Sequence, residues 1–280
     1  MNTGKDRLSH SEPACRIDAI DASFQLTYQF PVYFEYDVFN AKNPLLKDTL
    51  RIRQNAQQKV LVYIDEGIIS STPGFGQKVK EYFDFYKQEI SLLDEPLQIA
   101  GGEAAKSHDE IESLYRHMLT HDLDRHCCVL AIGGGAMLDA IGFASASFHR
   151  GIPLIRMPST ILAQNDAGIG VKNGYNALHC KNLIGSFAPP RAVVNDFSLL
   201  DTLHMRDKIS GLAEAVKVAA IRDAAFFDWL EQRTSALVRF EPETTQYAIA
   251  RCAQLHLQQI TNGGDPFETG NARPLDYGHW

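Results

Sequence analysis

The sequence predicts an α/β protein: a doubly wound, mostly parallel sheet followed by an all-helical segment. Three observations carry this. Apolar, β-branched runs alternate with helix-periodic segments from Lys59 to Asn195. Glycine clusters directly follow two of those runs, at Gly101-Gly102 and at Gly133-Gly134-Gly135. From Ser198 to Ile260 helical periodicity takes over and no strand-like run remains. The shift places a boundary near residues 197–205 and divides the chain into an α/β domain, 20–198, and a helical domain, 199–280.

Each element follows from local composition. Met1 to about Ala19 reads as a polar lead-in. Phe24–Phe30 and Tyr33–Phe39 are rich in aromatic and β-branched residues and are expected to form strands, turning as a hairpin near Pro31. Asn43–Gln58 is helical or irregular, and Lys59–Ile64 is a buried strand ending at Asp65. Ligands bind at the carboxyl ends of strands in open α/β sheets, so Asp65 is placed either to hold a ribose hydroxyl or to cap a turn. A helix is expected over Gly76–Leu92, a strand over Pro96–Ala100, and a helix from Gly101 to about Leu119. Glu103 and Lys106 share a face of that helix, a spacing that usually gives a solvated ion pair.

Cys127–Ile132 is a strand, and the helix from Ala136 to about His149 carries Asp139 and many small residues. Strand, glycine turn and helix N-terminus together can cradle a pyrophosphate, although a tight turn alone explains the glycines. The motif is not GxGxxG, so it is not the common Rossmann fingerprint. Ile152–Met157 is a strand ended by Pro158, and Arg191–Asn195 is another, ending in Asp196. Between them, Pro158–Asn182 concentrates hydroxyls, amides, Asp166, Lys172 and Lys181 among apolar residues. Much of it is expected to be buried, and buried charge must be paired, which points to a site for a small polar anion. Gly211 to about Arg233 reads as one long helix and Gln246–Ile260 as another. Glu214 and Lys217 are spaced as a helical ion pair, solvent-facing on spacing alone.

The bulk numbers exclude several classes. The chain has 280 residues, 45% hydrophobic and 22% charged, with a net charge of −7. It lacks the basic footprint of a nucleic-acid binder, and no run is apolar enough for a membrane span. No signal-like segment opens it, and five cysteines without a CxxC pair fit reduced thiols in a cytoplasm. Cys127 and Cys128 are expected in the core, and Cys180 as a small packed thiol.

Taken together, Gly102-Glu103-x-x-Lys106, Gly133-Gly134-Gly135-x-x-x-Asp139, Arg150-Gly151, Pro158-Ser159-Thr160-x-Leu162-Ala163, Asp166, Lys172, Lys181-Asn182, Gly211-x-Ala213-Glu214-x-x-Lys217 and Asp276-Tyr277-Gly278-His279 resemble the 3-dehydroquinate synthase family of sugar-phosphate cyclases. The match runs from Asp65 onward. The resemblance implies a Rossmann-like sheet with a helical domain that is incomplete here. It implies that Asp65, Glu103, Lys106, Gly134, Gly135, Asp139, Ser159 and Thr160 hold NAD, with Lys172, Lys181 and Thr202 around cofactor and substrate. It places Glu214 and His279 as ligands of a divalent metal, zinc or cobalt. Arg150, Asp166, Asn182, Lys217 and Asp276 fall on the phosphate, hydroxyls or carboxylate of a phosphorylated seven-carbon sugar, Arg150 from across a homodimer interface. Lys172, Lys217 and Asp166 are the groups implied to serve the chemistry. In that chemistry a substrate carbinol is oxidised, phosphate is eliminated, the hydride returns, and the opened ring closes as a carbocycle.

Three departures bear on the reading. Asp166-Ala167-Gly168-Ile169-Gly170-Val171-Lys172-Asn173 stands where the synthases usually show Asp-Ser-x-x-Gly-Gly-Lys-Thr, and Asp276 replaces an asparagine. Both changes look more like the branch that cyclises sedoheptulose 7-phosphate. The remaining metal ligand of the family pattern would lie beyond Trp280, so the chain is expected to be a fragment, a truncated product or a cofactor-binding remnant. His256 is the nearest substitute, but its helical context suggests a surface or packing role. A metal-dependent NAD polyol dehydrogenase and a non-catalytic NAD-binding protein are the competing readings.

Overall fold

The structure is a computed structural model, and it describes residues 21–52, 56–263, 267, 275 and 277. Nine strands are numbered in chain order: β1 Val32–Glu35, β2 Gln58–Asp65, β3 Ile90–Leu92, β4 Leu97–Ile99, β5 Cys128–Gly133, β6 Leu154–Pro158, β7 Lys172–Ala177, β8 Cys180–Phe187 and β9 Ala192–Asp196. Seven form one parallel sheet in the order β1-β9-β6-β5-β2-β3, with β4 sharing the same edge of β2 as β3. The first half of β2 pairs with β3 and its last three residues, Tyr63–Asp65, with β4.

Alternation along the strands decides the two layers, because successive side chains point to opposite faces. Val60, Val62, Ile64, Cys128, Leu130 and Ile132 pack under α1 (Leu45–Leu50), α2 (Glu66–Ser71) and α3 (Phe75–Phe85). Leu61, Tyr63, Val129 and Ala131 pack under α4 (His108–Thr120) and α5 (Gly135–Ser147). Both faces are therefore covered, as an all-parallel sheet requires. Chain connections leave β2 first towards β3 and β4, then cross to β5 on its other side. The carboxyl ends of β2 and β5 thus flank the reversal point where such folds open a crevice.

Several local expectations are corrected. No hairpin forms at Pro31: residues 21–30 have no regular structure, Phe24, Leu26 and Tyr28 are exposed, and β1 pairs in parallel with β9. The helix expected to reach Leu92 stops at Phe85, and Ile90–Leu92 becomes β3 against Gln58–Val60. The helix expected from Gly101 is split. A 3₁₀ turn covers Gly102–Lys106, and Ser107 then caps α4 by accepting from the Glu110 amide at 3.1 Å. The long helix from Gly211 starts earlier, at Met205, and breaks at Asp223 into α6 (Met205–Arg222) and α7 (Ala224–Gln232). Asp223 adopts φ −153° and accepts from the Phe226 amide, so a local cap overrides the periodicity. Cys180 is exposed, not packed, while Cys127, Cys128 and Cys252 are buried.

After α7 come α8 (Thr234–Val238) and α9 (Pro242–Asn262), with Pro242 at the first helical position. Ala215, Val218, Ala219, Phe226, Leu230, Ala248 and Cys252 form the core of these helices. Two mixed clusters weld them to the sheet: Ile161, Phe197 and Leu200 against Ile249, and Ile169 and Val193 against Ala253. Among the described residues, no helix is long and apolar enough to cross a membrane.

β7 and β8 stand apart as an antiparallel hairpin with an irregularity between Tyr175 and Ala177. The hairpin is held by a buried cation. Arg156 on β6 is fully buried and donates to the carbonyls of Gly170 (2.7 Å), Gly168 (3.3 Å) and Lys172 (3.3 Å), and to the Asn173 side-chain oxygen. Burial pushes the guanidinium down to about 10, with Asp139 acting in the opposite sense. Gly142 of α5 lies beneath this contact: a β-carbon there would meet Asn173 Oδ1 at 1.8 Å. Gly142→Ala is therefore expected to dislodge Asn173 from Arg156 and lower stability by about 2–4 kcal/mol. Urea unfolding should show a reduced midpoint with an unchanged slope. A variant as stable as the parent would show that this contact relaxes freely.

Candidate active site

The crevice is lined first by backbone. β5 ends in Gly133, Gly134 is the N-cap of α5, and the helix starts at Gly135. A β-carbon on Gly133 would meet Met137 Sδ at 2.4 Å, and one on Gly135 would meet Ala167 Cβ at 2.8 Å. The glycines thus let the turn touch the segment that carries Asp166. The α5 N-terminus faces this turn with its unpaired amides, an anion-attracting arrangement. Asp65 caps α2, accepting from the Gly67 amide at 2.8 Å, and its carboxylate would collide with a β-carbon on Gly101. The capping contact of Asp65 is thus present, and its carboxylate lies beside the glycine turns.

Behind the turn sits a buried charge network. Lys106, 4% exposed, donates to Asp139 Oδ2 at 2.5 Å and to Asn182 Oδ1 at 2.6 Å. Lys106 is therefore not half of a solvated pair with Glu103. Glu103 instead accepts from Asn176 at 2.8 Å and lies 3.5 Å from Lys181, and the Asn176 contact foremost holds its carboxyl below the usual range. Burial raises Asp139, with Lys106 opposing that rise and Asp166 adding to it. Asn182 adopts φ +52° in β8, and its amide donates to Asn176 Oδ1. The residue expected on the substrate's hydroxyls is thus bonded to Lys106, on the glycine-turn side.

After Pro158 and Ser159 the chain makes a π-helical turn over Ala163–Ala167, closed by the Gly168 amide on the Ala163 carbonyl at 2.8 Å. Thr160 starts it by accepting from the Ala163 amide. Gln164, fully buried, pins it by donating to the Pro158 and Asp196 carbonyls. Asn165 donates to the Gly211 carbonyl of α6 at 3.1 Å. Such wide turns recur at functional sites because they re-aim one side chain, and here the side chain is Asp166.

Asp166 points at the helical half. His256 of α9 places Nδ1 3.4 Å from Asp166 Oδ1 and Nε2 2.9 Å from Glu214 Oε1 of α6. Lys217 Nζ also reaches Glu214 Oε1, at 2.9 Å, and donates to the Leu275 carbonyl at 2.7 Å. The Glu214–Lys217 pair is largely covered, contrary to its spacing-based reading, because α6 packs here against α9 and the π-helical turn. His256, 8% exposed, is likewise a charge-bridging residue and not a surface one. Burial raises Asp166 and Glu214 adds to the rise, while His256, Lys217 and Lys172 oppose it. Burial acts on Glu214 too, but its bonds from His256 and Lys217 outweigh it and hold the carboxyl below its ordinary value. Asp166, Glu214 and His256 bring one ligand atom each within 4.8 Å of one another, a set able to hold a metal ion.

Other expected site residues lie around this centre. Lys172 is exposed at the start of β7, near enough to act on Asp166. Lys181 is exposed on β8. Thr202 lies 3.3–3.4 Å from the hydroxyls of Ser71 and Thr72, at the end of α2. Arg150 is exposed beyond α5, at φ +66°. Asp276 and His279 lie outside the described residues. Arg156, Asn173 and Asn176 were missed. A lone arginine inside an apolar strand was the available signal for the first, and the asparagines carried none.

Residues 96–210 match the family of the 3-dehydroquinate synthase N-terminal region, and residues 211–280 that of its C-terminal region. The chain is 40% identical over 184 residues to the 3-dehydroquinate synthase of Rhodopirellula baltica, covering 65% of this chain and 48% of that protein. It is 37% identical over 201 residues to that of Nitrosospira multiformis, covering 71% and 54%. The chain thus spans about half the length of the curated relatives it matches. Among solved structures it is similar to 2-epi-5-epi-valiolone synthase from Streptomyces hygroscopicus subsp. jinggangensis 5008 with NAD+ and Zn2+ bound. That likeness has TM-score 0.81 and 29% identity, and covers 93% of this chain and 68% of that one. A 2-deoxy-scyllo-inosose synthase complexed with carbaglucose-6-phosphate, NAD+ and Co2+ shares the fold at TM-score 0.73 and 23% identity, covering 89% and 65%. With both halves of the family pattern matched, over residues 96–210 and 211–280, the chain belongs to the 3-dehydroquinate synthase family.

Proposed function

We propose that this chain carries the cofactor and metal centre of a sugar-phosphate cyclase, a carbon–oxygen lyase that converts a heptulose phosphate to a carbocycle. The observation behind this reading is the juxtaposition in one crevice of a glycine-lined helix N-terminus with a buried acid–imidazole–lysine cluster. The contact of Gly135 with Ala167, next to Asp166, ties the two together. On this reading residues 20–198 hold the cofactor and 199–280 complete the metal and substrate site.

The residues fit both groups. The Gly133–Gly135 turn and α5 N-terminus would take the pyrophosphate of NAD, with Asp65 towards the ribose and Lys106, Asp139, Ser159 and Thr160 around it. Glu214 and His256 offer a carboxylate and an imidazole to a divalent ion, ligand types that catalytic zinc uses, with Asp166 beside them. His279 is proposed as a further ligand. When bound, NAD supplies a reversible hydride acceptor and the ion a Lewis acid for an alcohol oxygen.

The chain's own side chains do the rest. Lys217 and Lys172 present positive charge to the phosphate and any carboxylate of the substrate, with Arg150 reaching it in a homodimer. Glu214 stays ionised under its two donors. Asp166, raised by burial, can accept a carbinol proton and return it. His256 bridges the two carboxylates and holds Asp166 towards the crevice. Asp276 is assigned to the sugar hydroxyls, and Asn182, bonded to Lys106, to orienting that lysine on the cofactor side. An aspartate at 276 suits a hydroxyl better than a carboxylate, which favours sedoheptulose 7-phosphate over a 2-ketoacid heptulose phosphate.

The test is phosphate release from each heptulose phosphate by the chain supplied with NAD and zinc or cobalt. Release without net NADH is expected, since the hydride returns to the product. NADH accumulating with a neutral polyol would favour a dehydrogenase, and NAD binding without any turnover a non-catalytic role. Lys217→Ala is expected to weaken binding of the phosphorylated sugar about tenfold or more while leaving NAD affinity within roughly twofold, read by calorimetry. Equal loss of both would place Lys217 in the cofactor pocket.

The depressed Glu214 carboxyl also sets a pH dependence. Its stabilisation is fully present above the unfolded value of about 4.5 and is lost as pH falls through the lower folded value. Glu214→Gln should therefore be less stable than the parent at neutral pH. The deficit should shrink on acidification below about pH 4.5, as read from urea midpoints across pH. A deficit independent of pH would show that packing, not charge, is what the substitution disturbs.

A further inference from the structure

A second donor cluster lies on the α4 face of the sheet and shares no residue with the crevice. Asp94, in the connection from β3 to β4, directs Oδ2 at two imidazoles of α4's last turn and C-cap. His121 Nε2 is 3.1 Å away and His117 Nε2 is 3.3 Å away. The three ligand atoms lie within 4.8 Å of one another. Ligand atoms each about 2.0–2.1 Å from one tetrahedral ion stand roughly 3.3–3.4 Å apart. The two carboxylate–imidazole separations are therefore close to the edges of such a polyhedron.

Three further features suit a cation there. His117 Nδ1 lies 3.1 Å from the hydroxyl of Tyr63, whose ring is fully buried in β2. A buried phenol on Nδ1 fixes the orientation of the ring and turns Nε2 towards Asp94. Outer partners of this kind orient metal-binding histidines. The rings of His117 and His121 are already placed edge to face, with centroids 4.7 Å apart on successive turns. The cluster also caps the carboxyl end of α4, where the helix dipole favours positive charge. The carboxylate is the outermost member, with 44% of its side chain exposed, so water can complete the coordination.

We propose that Asp94, His117 and His121 form a structural site for a divalent transition cation of the zinc class, bracing the β3–β4 connection against the end of α4. Two imidazoles and one carboxylate favour zinc, nickel or copper over magnesium or calcium, which prefer all-oxygen sites.

The test uses the full chain and zinc alone, in equilibrium dialysis with free zinc buffered in the low-micromolar range at neutral pH. The parent is expected to hold one more zinc per chain than His121→Asn. Asp94→Asn, on a half-exposed side chain, serves as the second variant if the first folds poorly. Zinc should also slow amide hydrogen exchange in the last turn of α4 in the parent and not in either variant. Equal stoichiometry in parent and variants, with no change in exchange, would overturn the proposal and leave Asp94 as a hydrogen-bonded partner of the imidazoles only.

Discussion

The Arg156 guanidinium is the contact on which the site depends. It is fully buried in β6, and its partners are carbonyls of Gly168, Gly170 and Lys172 and the side chain of Asn173. A buried cation left unpaired costs several kcal/mol, so the segment from 168 to 173 is compelled to fold onto it. That segment begins where the π-helical turn releases Asp166 and ends where Lys172 opens the hairpin. One desolvated charge thereby sets the position of two groups in the crevice. The requirement also explains the glycine in α5, because a side chain at 142 would occupy the space of Asn173.

The crevice itself is a problem of like charges. Asp139, Asp166 and Glu214 are drawn into a region that burial makes unfavourable for each. The structure answers with partners of limited reach: the ammonium of Lys106 for Asp139, that of Lys217 for Glu214, and the two ring nitrogens of His256 beside Asp166 and Glu214. The outcome is unequal. Glu214 has two close donors and stays easy to ionise, whereas Asp166 has one longer contact and does not. Two neighbouring carboxylates with divergent acidities are what proton transfer at neutral pH calls for.

Much of this was legible in the sequence, for identifiable reasons. β2, β5, β6 and β9 were visible because buried parallel strands are near-continuous apolar runs, and the glycine turn was visible as a run of three, two of which, Gly133 and Gly135, leave no room for a β-carbon. The expected boundaries failed where a single capping side chain beat periodicity, at Ser107 and Asp223. They failed again where a short segment took its strand conformation from a partner already in the sheet, at Ile90–Leu92. In the site, Lys106, Asp139, Asp166, Glu214 and Lys217 are all singled out by the sequence, but the pairing of Lys106 with Asp139 and the place of His256 between Asp166 and Glu214 are not. His256 reads from sequence as a surface or packing residue because helical position says nothing about which neighbours a face meets. Lys106 looked solvated because its partner, Asp139, is one that only tertiary packing brings near.

The origin of the acid cluster has a kinetic consequence. Asp166, Glu214 and His256 come from the π-helical turn, α6 and α9, and 42 residues separate the last two. Until α9 docks, two carboxylates approach one another without the imidazole between them. Closing that long loop and setting the imidazole between the carboxylates are then the same event. The crevice is therefore expected among the last regions to consolidate during folding and the first to open under acid or proteolytic stress, while the sheet beneath it stays intact.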